Sequence, residues 1–139
     1  MNASALALTG FMAWFMILLL TLATVRVMAV VTARRAPNSF RPDGSDMTPF
    51  VARLVRAHAN CYEAFPLIGG TLLLAMATGS TGITDSLALV LLACRVGQSI
   101  VHLASVSNLA VNLRFALFAA QIGIVAYWLI QLYAKFGGA

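Results

Sequence analysis

Arg53-Leu54-Val55-Arg56-Ala57-His58-Ala59-Asn60-Cys61-Tyr62-Glu63-Ala64-Phe65-Pro66 places four ionisable side chains and an asparagine at the mouth of a segment that otherwise reads as membrane-spanning. A charge in hydrocarbon costs about 3 kcal/mol or more, so these groups must face a partner helix, water or a ligand. In a helix, Arg53, Arg56, Asn60 and Glu63 fall at i, i+3, i+7 and i+10 and share one stripe running inward from the membrane surface. A cation at the rim, an amide below it and a carboxylate deeper make a graded site suited to a zwitterionic ligand.

The rest of the chain supports the membrane setting. Of 139 residues, 61% are apolar and only 9% charged, whereas a soluble domain carries about 25% charged residues. A helix needs roughly 20 apolar residues to cross the hydrocarbon core. Four such segments are predicted, at about Ala5–Val31, Pro49–Ala77, Ile83–Ala104 and Leu113–Phe136. The expected fold is an all-α integral membrane bundle of four transmembrane helices in a single domain, residues 1–139. The first segment has no basic leader and its first positive charge, Arg26, lies at its far end, so it reads as a retained helix and not a cleaved signal.

Loop charges orient the bundle. The first loop holds Arg34, Arg35 and Arg41, with Arg53 and Arg56 just beyond, whereas the second, around Gly79–Asp85, has one acid and no base. The third, Ser105–Asn112, runs into Arg114. Loops one and three are therefore expected in the cytoplasm and both termini outside it. A bacterial inner membrane is the expected location. Despite a net charge of +5, the arginines sit at helix mouths with no soluble basic surface to track phosphates, which excludes nucleic acid as a partner. Cys61 and Cys94, the two cysteines, each lie inside a span, and no metal-ligand spacing is present.

Loop one, Arg34–Thr48, is dense in turn residues and at about 15 residues exceeds what adjacent helices need; such loops are often functional. Asp46 or Thr48 is expected to cap helix II ahead of Pro49, and Pro66 to kink it in mid-membrane. Helix III carries a second polar stripe: Arg95, then Gln98 or Ser99, then His102. Helix IV places Arg114 at its inner end and Gln121 seven residues on. Glu63 and Arg95 lie at comparable depth on antiparallel helices, as either an ion pair within the bundle or part of a ligand site. Arg26 reads as bonded to a neighbouring helix or snorkelling inward. A ligand with two carboxylates, one amine and a thiol suits this set, since arginine forks bind carboxylates bidentately.

Arg56-Ala57-His58-x-Asn60-Cys61-x-Glu63-x-x-Pro66 resembles the helix II signature of the MAPEG family, the membrane-associated proteins of eicosanoid and glutathione metabolism. Asn60-Cys61, the two residues before Pro66, and Ala33-Arg34-Arg35-Ala36 are most similar to its leukotriene C4 synthase branch. The likeness takes in the four-helix plan, the long loop, Arg95 and Arg114. It implies a homotrimer with glutathione, as co-substrate, bound between neighbouring subunits at the cytoplasmic side. By position, Arg56, Asn60 and Glu63 would bind glutathione, with Arg34 or Arg35 reaching in from the adjoining subunit, and Arg95 and His102 completing the set. Arg114 matches the arginine that stabilises the glutathione thiolate, the catalytic role.

The chain departs from the family where tyrosine commonly stands seven residues after the helix III arginine. Here that residue is His102, which can hydrogen-bond glutathione in the tyrosine's place and bears directly on whether the site turns over. Gln98 stands where histidine or tyrosine is frequent, and the predicted helix III to IV connection is longer than usual. The first expectation is a membrane glutathione transferase-like enzyme adding the thiolate to a lipophilic electrophile from the bilayer, or reducing a lipid peroxide. The alternative is a non-catalytic lipid-binding or lipid-presenting protein of the same fold. A small transporter is a third reading, weakened by the absence of an inverted repeat.

Overall fold

A computed structural model describes residues 2–137 as four helices: α1 (Ala3–Ala33), α2 (Pro49–Ala77), α3 (Thr81–Ala104) and α4 (Asn108–Gly137). Three of them, α1, α3 and α4, are long and apolar enough to cross a membrane. Helix α2, at 29 residues, has the length, but its polar stretch from Arg53 to Glu63 lowers its apolar character below that of the other three. It runs unbroken through Pro66.

Helices α1, α2 and α4 start where a side chain satisfies one of their open N–H groups, whereas α3 has no side-chain cap. Asn2 Oδ1 accepts from Ala5 N–H at 2.9 Å, and Thr48, not Asp46, caps α2 by accepting from Val51 N–H at 3.4 Å with Pro49 in the first turn. Helix α4 begins five residues earlier than the sequence suggests. Ser107 Oγ accepts from Ala110 N–H at 3.2 Å, so Asn108 to Asn112, polar enough to read as loop, form the first turn and a half of helix. The connection from α3 is therefore only Ser105, Val106 and Ser107, not the long link expected.

Helix α3 packs against the other three, while α1 and α4 do not touch each other. Two apolar clusters fill the bundle. One joins Leu8, Ile68, Leu72, Leu91, Val125 and Trp128. The other, nearer loop one, joins Leu18, Leu22, Val51, Leu54 and Cys61. The end away from loop one is tied by polar groups. Ser4 N–H donates to Asp85 Oδ1 at 2.8 Å and its hydroxyl donates to the same oxygen at 2.6 Å. Lys135 Nζ donates to Ser80 Oγ at 2.7 Å. Outward faces of α1 and α4 are strongly apolar, with Leu20, Val31, Phe115 and Ile130 more than half exposed, as lipid-facing helices require.

Loop one is folded, not slack. Arg34 ends α1 in the left-handed region, φ +51°, and Arg35 N–H reaches back to Ala29 O at 3.3 Å. Arg35 then donates to Ser39 O at 3.0 Å and Asp46 O at 3.0 Å, and pairs with the Asp46 carboxylate. Asp43 Oδ1 accepts from Ser45 N–H at 3.1 Å and from its hydroxyl at 2.9 Å, bonds that hold the Asp43 carboxyl below its ordinary range. Burial alone would raise the Asp46 carboxyl, but hydrogen bonds from the Arg41 backbone and the Arg35 guanidinium outweigh it and leave it lowered.

Candidate functional site

The polar stripe on α2 meets polar residues of α3 and α4 at the loop-one end. An open cavity of about 500 Å³ there is lined by Arg53 and Arg56 of α2, His102 of α3, Val106, and Arg114 of α4. A second space of about 210 Å³ shares Arg56 and His102 with it and continues to Ala59, Asn60 and Glu63. A third, of about 270 Å³, shares Asn60 and Glu63 and is otherwise apolar, walled by Ala64, Leu67, Ile68, Phe118 and Ile122. The three adjoin through shared walls, grading from a cluster of cations to a greasy groove. Helical spacing produces the gradient: positions 56, 60, 63, 64 and 67 lie along one side of α2.

His102 and Arg114 touch directly. Arg114 Nη1 lies 2.7 Å from His102 Nδ1, and a guanidinium can only donate, so Nδ1 must be the acceptor. The imidazole is then neutral with its proton on Nε2. It cannot use Nδ1 as a base while it holds Arg114. Its remaining polar atom is a donor. Arg53, on the same wall, donates from Nε to Leu103 O at 2.8 Å and so closes one of the open carbonyls at the end of α3.

Behind the cavity wall lies Arg95. It is 1% exposed and lines none of the three spaces. Its Nη1 donates to Asn60 Oδ1 at 2.5 Å, and its guanidinium sits 5.6 Å from the Phe11 ring centroid. An Arg95–Glu63 ion pair, one of the two readings the sequence left open, is absent. The one ion pair among the described residues joins Arg35 and Asp46, and Glu63 is exposed with its carboxylate free of hydrogen bonds to the protein. Two further polar contacts cross the bundle at this level. Cys61 Sγ lies 3.5 Å from Ser99 Oγ, and Gln121 Nε2 donates to Gln98 Oε1 at 2.9 Å.

Of the residues singled out from sequence, Arg56, Asn60, Glu63, His102 and Arg114 come together. Arg95 stands behind them, holding Asn60. Arg34 and Arg35 do not line this cavity. Arg34 is exposed at the end of α1, and Arg35 is engaged by loop one. Arg53, which the stripe includes but the family resemblance does not number among the glutathione contacts, lines the cavity beside Arg56. Reading by stripe passed over Phe118 and Ile122, which look in sequence like any other apolar residues of a span. His58 packs its ring 4.9 Å from that of Phe15, away from the cavity, with Nε2 buried and unpartnered. Among the described residues, no three of His, Cys, Asp and Glu converge as metal ligands would.

The chain matches the family model of the MAPEG family over residues 4–134. It belongs to that family and is an integral membrane protein. No curated protein matches it, and no solved structure does.

Proposed function

We propose that the chain is a membrane glutathione transferase-like enzyme, nearest in motif to the leukotriene C4 synthase branch. The observation that carries this reading is the run of adjoining spaces from the Arg53–Arg56–Arg114 cluster, past Glu63, into the apolar groove of Leu67, Phe118 and Ile122. Glutathione has two carboxylates, one ammonium group and a thiol. Arginines at the mouth suit the carboxylates, and the free carboxylate of Glu63 suits the ammonium group. A lipophilic acceptor fits the groove, which it would reach laterally from the bilayer.

Arg114 is the residue we assign to the sulfur. A free thiol titrates near 8.5, and a fixed cation beside it in a partly desolvated site raises the thiolate fraction at neutral pH. The displaced proton leaves to solvent, because His102 Nδ1 is already an acceptor for Arg114. His102 steadies the guanidinium and offers Nε2–H to the ligand. The thiolate then adds to an electrophilic carbon of the acceptor, which takes a proton from solvent, or displaces its leaving group. With a lipid peroxide it takes the distal oxygen, the alkoxide leaves as the alcohol, and a second glutathione converts the sulfenic acid to the disulfide with loss of water.

Family membership also supports a homotrimer, in which exposed Arg34 reaches the site of a neighbouring subunit. The arginines of loop one and Arg114 support a cytoplasmic location for this end, with both termini outside; a bacterial inner membrane is the setting we assign, and these charges do not bear on it. The test is glutathione titration of the detergent-purified protein, followed by ultraviolet thiolate absorbance, with Arg114→Ala and Glu63→Gln alongside. Saturable thiolate formation that Arg114→Ala removes supports the reading. Failure to bind glutathione at millimolar concentration, with the oligomer intact, transfers the assignment to a non-catalytic lipid-binding member of the fold.

A further inference from the structure

Helix α2 turns a polar face outward. The exposed sides of α1 and α4 are apolar, but α2 exposes Arg56, Tyr62, Glu63, Pro66 and Gly70, and it is not among the three helices apolar enough to cross a membrane. Lipid cannot solvate such a face, so protein or water must cover it.

Two of its groups stand out by depth. Helix α2 has 29 residues and is about 43 Å long, and Glu63, fourteen residues after Pro49, lies about 21 Å from its start. With about 30 Å of hydrocarbon to cross, that is the middle of the bilayer. Tyr62 stands at the same level to within about 1.5 Å. It is 65% exposed, far from the interfaces where membrane tyrosines usually sit. Among the described residues its hydroxyl meets no acceptor of its own subunit, and Glu63 meets no donor. A donor and an acceptor thus stand unpaired at one depth in hydrocarbon.

Neighbours in sequence do not face each other on a helix: these two lie about 100° apart, with Ala59 and Pro66 between them. The Tyr62 ring leans toward α1, 6.5 Å from the ring of Phe15, whereas Glu63 lines the space it shares with Phe118 and Ile122 of α4. They mark opposite edges of one outward face. Copies of the chain inserted with one topology are related by an axis along the membrane normal, and rotation about it keeps every residue at its own depth. Around such an axis the α1 edge of one α2 meets the α4 edge of the next, and the small surfaces of Ala59 and Gly70 let the helices approach.

We propose that the Tyr62 hydroxyl of one subunit donates a hydrogen bond to the Glu63 carboxylate of the next, head to tail around a closed ring. The contact rests on the oligomer proposed above but not on the identity of its ligand. A carboxylate accepts at both oxygens, so one remains for a ligand cation, and each site is finished by its neighbour. The α1 side of that neighbour, from which Arg34 would reach, is thereby brought to the site.

Dissociation of the detergent-purified protein on dilution, followed by native mass spectrometry, tests this. Tyr62→Phe removes one oxygen and keeps the ring. It should raise the dissociation constant of the oligomer about tenfold or more, the worth of one hydrogen bond to a charged group, with helix content unchanged. Glu63→Leu should do the same, whereas Glu63→Gln, which keeps an acceptor, should stay close to the native value. Tyr62→Phe combined with Glu63→Leu should associate no worse than either alone, because no polar group is then left unpaired. Undiminished association of Tyr62→Phe overturns the proposal, as do additive losses in the double variant. A native protein that is monomeric overturns it too, even where glutathione binds. An oligomer that loosens with Tyr62→Phe and binds no glutathione upholds it and removes the ligand reading instead.

Discussion

The carboxamide oxygen of Asn60 accepts a hydrogen bond from the buried guanidinium of Arg95, 2.5 Å away on the neighbouring helix. A residue that lines the polar space with one face therefore anchors a charge within the bundle with the other. Removing it leaves the cation uncompensated. Asn60→Ala should destabilise the protein by about 3 kcal/mol, read as a lowered thermal midpoint in detergent. Asn60→Ala combined with Arg95→Leu should recover part of that loss, because no buried charge then remains. A double variant less stable than the single would show that Arg95 is stabilised by something other than Asn60.

His102 holds Arg114 by accepting its hydrogen bond. His102→Ala should lower kcat/KM for glutathione-dependent turnover about tenfold or more, the worth of one hydrogen bond to a charged group, with a smaller change in glutathione affinity. His102→Gln, which keeps an acceptor, should restore part of the rate. Loss confined to affinity, with turnover at saturation untouched, would show that the histidine contacts ligand without steadying Arg114.

Glu63 makes no contact that the fold needs, so its replacement separates binding from stability. Glu63→Gln should weaken glutathione about tenfold or more, the worth of one charge-assisted hydrogen bond, and leave the thermal midpoint where it was. Equilibrium dialysis with labelled glutathione gives the first quantity. A fall in midpoint equal to that of Asn60→Ala would mean that the carboxylate is structural.

Arg34 occupies a left-handed backbone conformation, φ +51°, which costs a residue with a β-carbon about 1 kcal/mol relative to glycine. Arg34→Gly should stabilise the end of α1 by about that amount. If the side chain serves a neighbouring subunit, the same change should weaken glutathione binding, so stability and affinity would move in opposite directions. Unchanged affinity in the intact oligomer would remove Arg34 from the site.

The Arg35–Asp46 link gives loop one a pH dependence. The Asp46 carboxyl is lowered in the folded chain, so its contribution is fully present above the unfolded value, about 3.9, and is lost as pH falls through the lower folded value. Hydrogen exchange of the loop amides should stay slow, after correction for intrinsic rates, down to about pH 4 and accelerate below it. Asp46→Asn should make it fast across the range. A loop equally protected in that variant would place the restraint elsewhere, with the Phe40 ring, 4.5 Å from the Arg35 guanidinium, the next candidate.

The helices were legible because apolar runs of sufficient length announce themselves, and the stripe on α2 because its spacing is a property of one helix. Periodicity along a single helix does not report how neighbouring helices are rotated about their axes. For that reason Arg95 was placed at the right depth, with Glu63 among its expected partners, when the rotation of α3 sets it against Asn60. The start of α4 was missed for a different reason. Ser107, Asn108 and Asn112 carry the composition of a loop, yet one serine oxygen in capping position converts the next residues to helix. The pairing of Arg35 with Asp46 depends on how an irregular loop closes on itself, which no repeat in the sequence encodes.

Helices α1 and α4 lie on opposite flanks and never meet. Whatever happens beside Arg26 can reach Arg114 through α3 or through α2, each of which packs against both flanks. The molecule is thus wired in parallel: the two flanks are independent terminals, and a message from one to the other has two helices through which to travel.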